Sequence, residues 1–343
     1  MQALYFDGNG SLEWKDDPAP VIQAPTDALV RPIAVSTCDL DQAIINGPEP
    51  VPGSEQPFAI GHEGVGQVVE VGAAVTNLRP GDIVAIAYHI ACGSCDRCTH
   101  ELPLFCRTTG ADGLAVFGIP VGADYGGLFS ELVRVPFAQY SLVPLPPSVS
   151  PVQAVSVGDN LTDAWRTIAP HLQRQPGAEV LIISQGSIGL FACDIARACG
   201  ASHVRYVDPD PQRQQLARDF RAQASTLADF FADERQYPIS LVTHPDKAAL
   251  HAALHATEPG GHCENLGFHF TEIHMPLLAM HLKCLNFRSS ISNARTYMPA
   301  VLQLLSSGHI NPQLVVTQVL PFDTAADALP TAGFKPVFVR DPM

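Results

Sequence analysis

The chain has 343 residues, enough for about two domains with a sizeable buried core. Charged residues make up 16% and hydrophobic ones 46%, the balance of a compact enzyme-like chain rather than a disordered one. A formal net charge of -14 excludes nucleic acid and anionic membrane surfaces as partners, because both reward positive charge.

The opening residues carry no basic segment followed by an apolar one, and nowhere do about 18 apolar residues run together. A soluble, cytoplasmic protein is expected. Short β-like segments, such as 28–35, 65–71, 83–87 and 132–135, alternate with Gly, Pro and Asp turns through the first part of the chain. The proline-rich run 144–151 can sustain neither a ladder nor a helix and marks a domain boundary. Beyond it come a helix over 151–169, a strand over 179–183, a helix over 187–199 stopped by Gly200, and a strand over 203–207. Asp210 and Pro211 then supply an N-cap and a first-turn proline. A strand over 239–243, a helix over 246–257 and a strand over 261–266 continue the alternation, which predicts a doubly wound parallel sheet. The tail reads as a helix and two strand-like segments, 314–319 and 337–340, that return to the first domain. The expected fold class is α/β: a mostly-β domain of residues 1–150, completed by about 290–343, and a nucleotide-binding domain over 151–289.

Four of the nine cysteines, Cys92, Cys95, Cys98 and Cys106, fall in one short loop. The odd total and the regular spacing read as metal binding in a reducing compartment rather than as disulfides. Four thiolates around a divalent zinc leave no open position, so such a site folds the loop and does no chemistry. Elsewhere Cys38, His62, Glu63 and Asp159 offer a thiolate, an imidazole and carboxylates, the ligand types of a catalytic zinc that keeps one position open.

The predicted strand 179–183 runs into Ser184, Gln185, Gly186, Ser187, Ile188 and Gly189 and then a helix. That order presents backbone N–H groups and a helix N-terminus to a pyrophosphate, with Ser184 standing at the first glycine position. Asp208 ends the next strand, 19 residues after Gly189, at the separation of a carboxylate that accepts the adenosine ribose hydroxyls. Such a carboxylate repels a 2′-phosphate, so NAD is expected over NADP.

The cysteine spacing, and Gly61-His62-Glu63 followed by Gly66, Gly72 and Val75, resemble the structural lobe and zinc signature of the zinc-dependent medium-chain alcohol dehydrogenase family. Residues 81–84 and 126–131 resemble further landmarks, so the resemblance spans nearly the whole chain. It implies a GroES-like catalytic domain interrupted by a Rossmann domain, and hydride transfer between a small alcohol or aldehyde and NAD. Cys38 and His62 match the family's first two catalytic ligands, and Glu63 and Asp41 match acids that orient the histidine and tune the metal.

Most relatives take the third ligand from a cysteine, and here two registers compete. Counting from Thr162 reaches Gly158, which has no ligating side chain; counting from Trp165 reaches Asp159, as in the formaldehyde dehydrogenase branch. Asp159 is favoured because a cysteinate and an aspartate together neutralise a divalent zinc. The alternatives are Glu63 as ligand and a site without a catalytic metal. Leu40 stands where relatives carry a hydroxyl that relays the alcohol proton, which leucine cannot do. Arg213 matches a basic position that approaches the ribose, and Gly267 and Ser290 sit where relatives pack the nicotinamide.

The resemblance further implies one catalytic and one structural zinc per chain and a homodimer or homotetramer. Two other readings stay open: an aldehyde-oxidising or dismutating enzyme with tightly held NAD, and a catalytically weakened, zinc-stabilised nucleotide-binding protein.

Overall fold

Strand Ala28–Ser36 is almost wholly apolar and buried along nearly its full length, as a strand covered on both faces must be. In the computed structural model, which describes residues 1–47, 51–110, 114–121, 125–230 and 235–343, it is the spine of a seven-stranded sheet. Glu63–Val71 pairs antiparallel along one edge. Along the other, Val133–Val135 pairs with its first residues and Pro336–Val339 with its last. Gln318–Pro321 extends the sheet beyond Pro336–Val339, while Ile83–Ile86 and Leu142–Pro144 extend it beyond Glu63–Val71. The register pairs Ser36 with Glu63, so Cys38, just past one strand, faces His62, just before the other. A smaller sheet of Leu12–Asp16, Gln2–Phe6 and Phe58–Ala59 flanks this one, and Leu4, Phe6, Val30, Ile60, Phe117, Phe129 and Phe338 form the core between them.

The second sheet is parallel throughout. Numbered along the chain, its strands Val180–Ile183, Val204–Val207, Gln223–Ser225, Tyr237–Val242, Thr257–Asn265 and Asn286–Ser289 lie in the order 3-2-1-4-5-6. That is the doubly wound dinucleotide-binding order, reversing direction beside the first strand. Helix Pro211–Asp219 starts where the sequence places it: Asp210 caps it by accepting from the N–H groups of Gln212 and Arg213 at 2.7 and 2.9 Å.

By their contacts the described residues form two units, Met1–Thr162 with Ser292–Gly308 and Val316–Met343, and Asp163–Ile291 with His309–Val315. The helix expected over 151–169 is in fact two, Pro151–Ala154 and Asn160–Arg174, separated by a turn. Gly158 explains the break. Its backbone packs against strand Ile83–Ile86 so closely that a Cβ would lie 1.9 Å from the Ile86 carbonyl oxygen. The segment 314–319 is likewise not one strand: a 3-10 turn, Pro312–Val315, precedes strand Gln318–Pro321. No described helix is long and apolar enough to cross a membrane.

Candidate metal centres and nucleotide-binding turn

Cys38 is the N-cap of helix Asp39–Asn46, and its sulfur accepts from the Leu40 N–H at 3.2 Å. Asp41, three residues on, closes a capping box by accepting from the Cys38 N–H at 2.8 Å. The other Asp41 oxygen lies 3.5 Å from His62 Nδ1, and both groups are almost wholly buried. This separation is longer than an ordinary hydrogen bond, yet among the described residues Asp41 Oδ1 and His62 Nδ1 have no other hydrogen-bond partner. The imidazole is thereby turned so that its second nitrogen, Nε2, lies 3.4 Å from Asp159 Oδ2.

Two ligand atoms at zinc distances of about 2.0–2.1 Å in a tetrahedron stand about 3.3–3.4 Å apart, so the His62 and Asp159 atoms fit such an ion. Cys38, Asp41 and His62 also bring ligand atoms within 4.8 Å of one another. Burial pushes the Cys38 thiol up to about 12, with His62 pulling it down and Asp41 and Asp159 adding to the rise. For His62, burial alone would lower the pKa, but Asp41, Cys38 and Asp159 outweigh it and raise it well above the ordinary value. A buried cluster that so favours positive charge is suited to a divalent cation.

Glu63 is engaged elsewhere. Its side chain is 0% exposed and forms an ion pair with Lys335, also 0% exposed. It further accepts from the Asn160 N–H at 3.1 Å, while the Lys335 ammonium donates to the Thr37 carbonyl at 2.9 Å. Burial lifts the Glu63 carboxyl to about 7, against the opposing pull of Lys335. Glu63 and Lys335 thus tie three segments together around the cluster: the residues before Cys38, the start of strand Glu63–Val71 and the turn that carries Asp159. Lys335 and Asn160 carry no motif that would have singled them out in the sequence.

In the four-cysteine loop, Cys95 Sγ lies 3.5 Å from Cys98 Sγ and 3.9 Å from Cys106 Sγ, and Cys92 Sγ lies 4.0 Å from Cys98 Sγ. Sulfurs around one zinc at about 2.3 Å stand about 3.8 Å apart, whereas a disulfide would need about 2.05 Å. Backbone N–H groups of Ser94 and Cys95 point at Cys92 Sγ at 3.5 and 3.4 Å. These and side-chain donors outweigh the effect of burial and lower the Cys92 thiol to about 5. Tyr140 packs on the loop, and the Arg295 guanidinium lies 4.6 Å from the Tyr140 ring centre.

The elements expected from the sequence to bind a nucleotide lie in the second unit. Gly186 caps helix Ser187–Ala198 just beyond strand Val180–Ile183, so Gly186, Ser187, Ile188 and Gly189 form the turn and first helical turn of the strand–turn–helix. Gly189 has to be glycine because a Cβ would sit 2.1 Å from Ser184 Oγ. Ser184 itself shares a 2.8 Å hydrogen bond with the Thr243 hydroxyl. Asp208 follows strand Val204–Val207 with a side chain that is 0% exposed, and Arg213 pairs with it through Nε at 2.8 Å.

A GroES-like sheet carrying a metal-ligand cluster, joined in one chain to a dinucleotide-binding sheet, defines a class of metal-dependent oxidoreductase. Residues 24–147 match the family model described as alcohol dehydrogenase GroES-like domain, and residues 187–307 match that described as zinc-binding dehydrogenase. The structure superimposes on alcohol dehydrogenase from Thermus sp. ATN1 with a TM-score of 0.89 and 31% identity, covering 99% of each chain. In sequence it is 29% identical to a probable zinc-binding alcohol dehydrogenase of Mycobacterium tuberculosis, over 97% of this chain and 85% of that one. It is 26% identical to a probable D-xylulose reductase A of Emericella nidulans, over 95% and 91% respectively. The chain belongs to the zinc-dependent medium-chain alcohol dehydrogenase family and is an oxidoreductase.

Proposed function

We propose that the protein is an NAD-dependent dehydrogenase of small alcohols or polyols, with a catalytic zinc held by Cys38, His62 and Asp159 and a structural zinc held by Cys92, Cys95, Cys98 and Cys106. The observation that carries the reading is the 3.4 Å approach of Asp159 to His62 Nε2 beside a buried Cys38. Polyols are included because a relative over nearly the full length is described as a probable D-xylulose reductase A.

When bound, zinc supplies Lewis acidity to a substrate oxygen and the nicotinamide gives or takes a hydride. The chain's own residues prepare that chemistry. Cys38 and Asp159 provide two negative charges, and Asp41 fixes the ring orientation of His62 through Nδ1. Glu63 is held back from the ligand set by Lys335 and Asn160. Leu40 packs against the core and presents no hydroxyl, so the outward path of the alcohol proton does not pass through this position. Gly186 to Gly189 offer backbone N–H groups to a pyrophosphate, and the Asp208 carboxylate favours a ribose diol over a 2′-phosphate.

The purified protein should reduce NAD, followed at 340 nm, with simple alcohols or polyols, at a higher kcat/KM than with NADP. A zinc chelator should abolish the rate and added zinc restore it. Tight NAD binding without turnover on alcohols, polyols and aldehydes would sink the proposal in favour of a nucleotide-binding protein.

We further propose that the protein is a homo-oligomer. Strand Asn286–Ser289 ends its sheet with an open edge, and the preceding Leu277, Leu278 and Leu282 are 68, 72 and 73% exposed. Phe268 and Phe270, also exposed, stack 6.3 Å apart. Apolar groups gathered beside an open strand edge favour association. Light scattering should give a multiple of the chain mass, and Leu278→Ser with Leu282→Ser should reduce it; a monomeric parent protein would refute this.

A further inference from the structure

A row of hydroxyls crosses the carboxyl ends of the central strands of the parallel sheet, where the glycine turn begins. Ser184 follows strand Val180–Ile183 and is 0% exposed. Tyr206 lies on strand Val204–Val207 and Thr243 follows strand Tyr237–Val242, the neighbours of that strand on its two sides. Backbone pairing carries on to this level: the Ser184 N–H donates to the Val207 carbonyl at 2.9 Å and the Thr243 N–H to the Ile183 carbonyl at 3.0 Å. The Ser184 hydroxyl lies 2.8 Å from that of Thr243 and also meets that of Tyr206, which donates to Asp208 at 2.7 Å.

The carboxylate at the end sets the direction of every proton in the row. A carboxylate only accepts, so Tyr206 gives its one proton to Asp208 and its oxygen accepts from Ser184; Ser184 in turn accepts from Thr243. The Thr243 proton has a second acceptor in the Gln185 carbonyl, but at 3.4 Å against 2.8 Å to Ser184. A lone pair of Thr243 is then left for the Gln185 N–H, 3.4 Å away. The row thus ends on the residue just before Gly186.

Ser184 also supports the helix that follows. A Cβ on Gly189 would lie 2.1 Å from Ser184 Oγ, so the first turn of helix Ser187–Ala198 rests on that side chain. Between the two, Gly186 has a φ of 91°, where glycine moves freely and offers no side chain to hold the turn. We propose that Ser184 and Thr243 are positioning residues for a pyrophosphate: kept in line by Tyr206 and Asp208, they fix the N–H groups of residues 186–189, a task the first glycine position does not ordinarily have. This rests on the assignment of the turn to dinucleotide binding. A pyrophosphate needs several N–H groups aimed at it together, so a turn released from the hydroxyl row binds it less tightly although every donor is still present. A ligand without phosphate makes no use of them.

The test is equilibrium binding of NADH and ADP-ribose by calorimetry, with adenosine, measured by competition, as the phosphate-free control. Thr243→Val and Ser184→Ala each remove one hydroxyl with little change in volume. Each is expected to weaken NADH and ADP-ribose about tenfold, the worth of one hydrogen bond, and to leave adenosine within about twofold of the parent. Thr243→Ser keeps the hydroxyl and should bind like the parent protein. Because both hydroxyls act through one row, the double variant should bind no more weakly than either single one. Unchanged NADH and ADP-ribose binding in Thr243→Val or Ser184→Ala, an equal loss for adenosine, no recovery in Thr243→Ser, or a double variant weakened about a hundredfold each overturns the proposal. A parent protein that binds neither NADH nor ADP-ribose removes the dinucleotide assignment, and the positioning role with it, so the two failures are distinguishable.

Discussion

The Asp159→Ala protein is expected to lose about one zinc ion per chain while keeping the one in the cysteine loop. Loss of Lewis acidity worth about 4 kcal/mol corresponds to a fall in kcat of roughly 10³-fold. Metal analysis by mass spectrometry and steady-state kinetics on the same preparation would measure both. Asp159→Cys should recover zinc and part of the rate, because a thiolate supplies the same charge. Glu63→Gln distinguishes the competing ligand: with Glu63 engaged by Lys335 and the Asn160 N–H, this variant should retain its full zinc content. Undiminished zinc and activity in Asp159→Ala, or loss of zinc in Glu63→Gln alone, would reverse the assignment.

Lys335→Met is expected to lower stability by about 3–5 kcal/mol, because it leaves the Glu63 carboxylate buried without its counter-charge. Both partners are fully buried, so solvent cannot substitute for the lost ammonium. The urea midpoint should fall with little change in slope, and Glu63→Gln combined with Lys335→Met should restore much of the loss. An unfolding free energy within about 0.5 kcal/mol of the parent would show that the pair is energetically idle.

The fold class was legible because its signals are local. Glycine and proline punctuation separates the short strands, and the later alternation of strands and helices leaves few topologies other than a doubly wound sheet. The cysteine cluster was legible for the same reason, since its four members lie within one loop. What sequence could not display was the means of positioning. Lys335 meets Glu63 across a separation of 272 residues, and nothing near residue 335 marks it.

The two registers for the third ligand were ambiguous because counting back from Thr162 and from Trp165 reaches different residues, Gly158 and Asp159, of the helix expected over 151–169. The structure interrupts it at Gly158, where close packing on Ile86 excludes a side chain, and the next residue carries its carboxylate to His62. At Asp208 the spacing drew attention to the residue but not to its surroundings. Tyr206, Asp210 and Arg213 are near neighbours in sequence, yet only coordinates show that all of them converge on one carboxylate.

The position of Pro336–Val339 has a consequence for biosynthesis. This strand pairs with Ala28–Ser36, and Lys335 just before it reaches Glu63, so the first unit is stitched together by residues made after every strand of the parallel sheet. The six strands of the nucleotide-binding sheet are all made by residue 289. At about 5–20 residues per second the parallel sheet can form seconds before the sheet beside Cys38 and His62 is closed. During that interval Cys38, His62 and the four loop cysteines are already synthesised, and Glu63 has no ammonium to meet. The nascent chain therefore exposes a set of strong zinc-binding side chains before the scaffold that selects their geometry is complete.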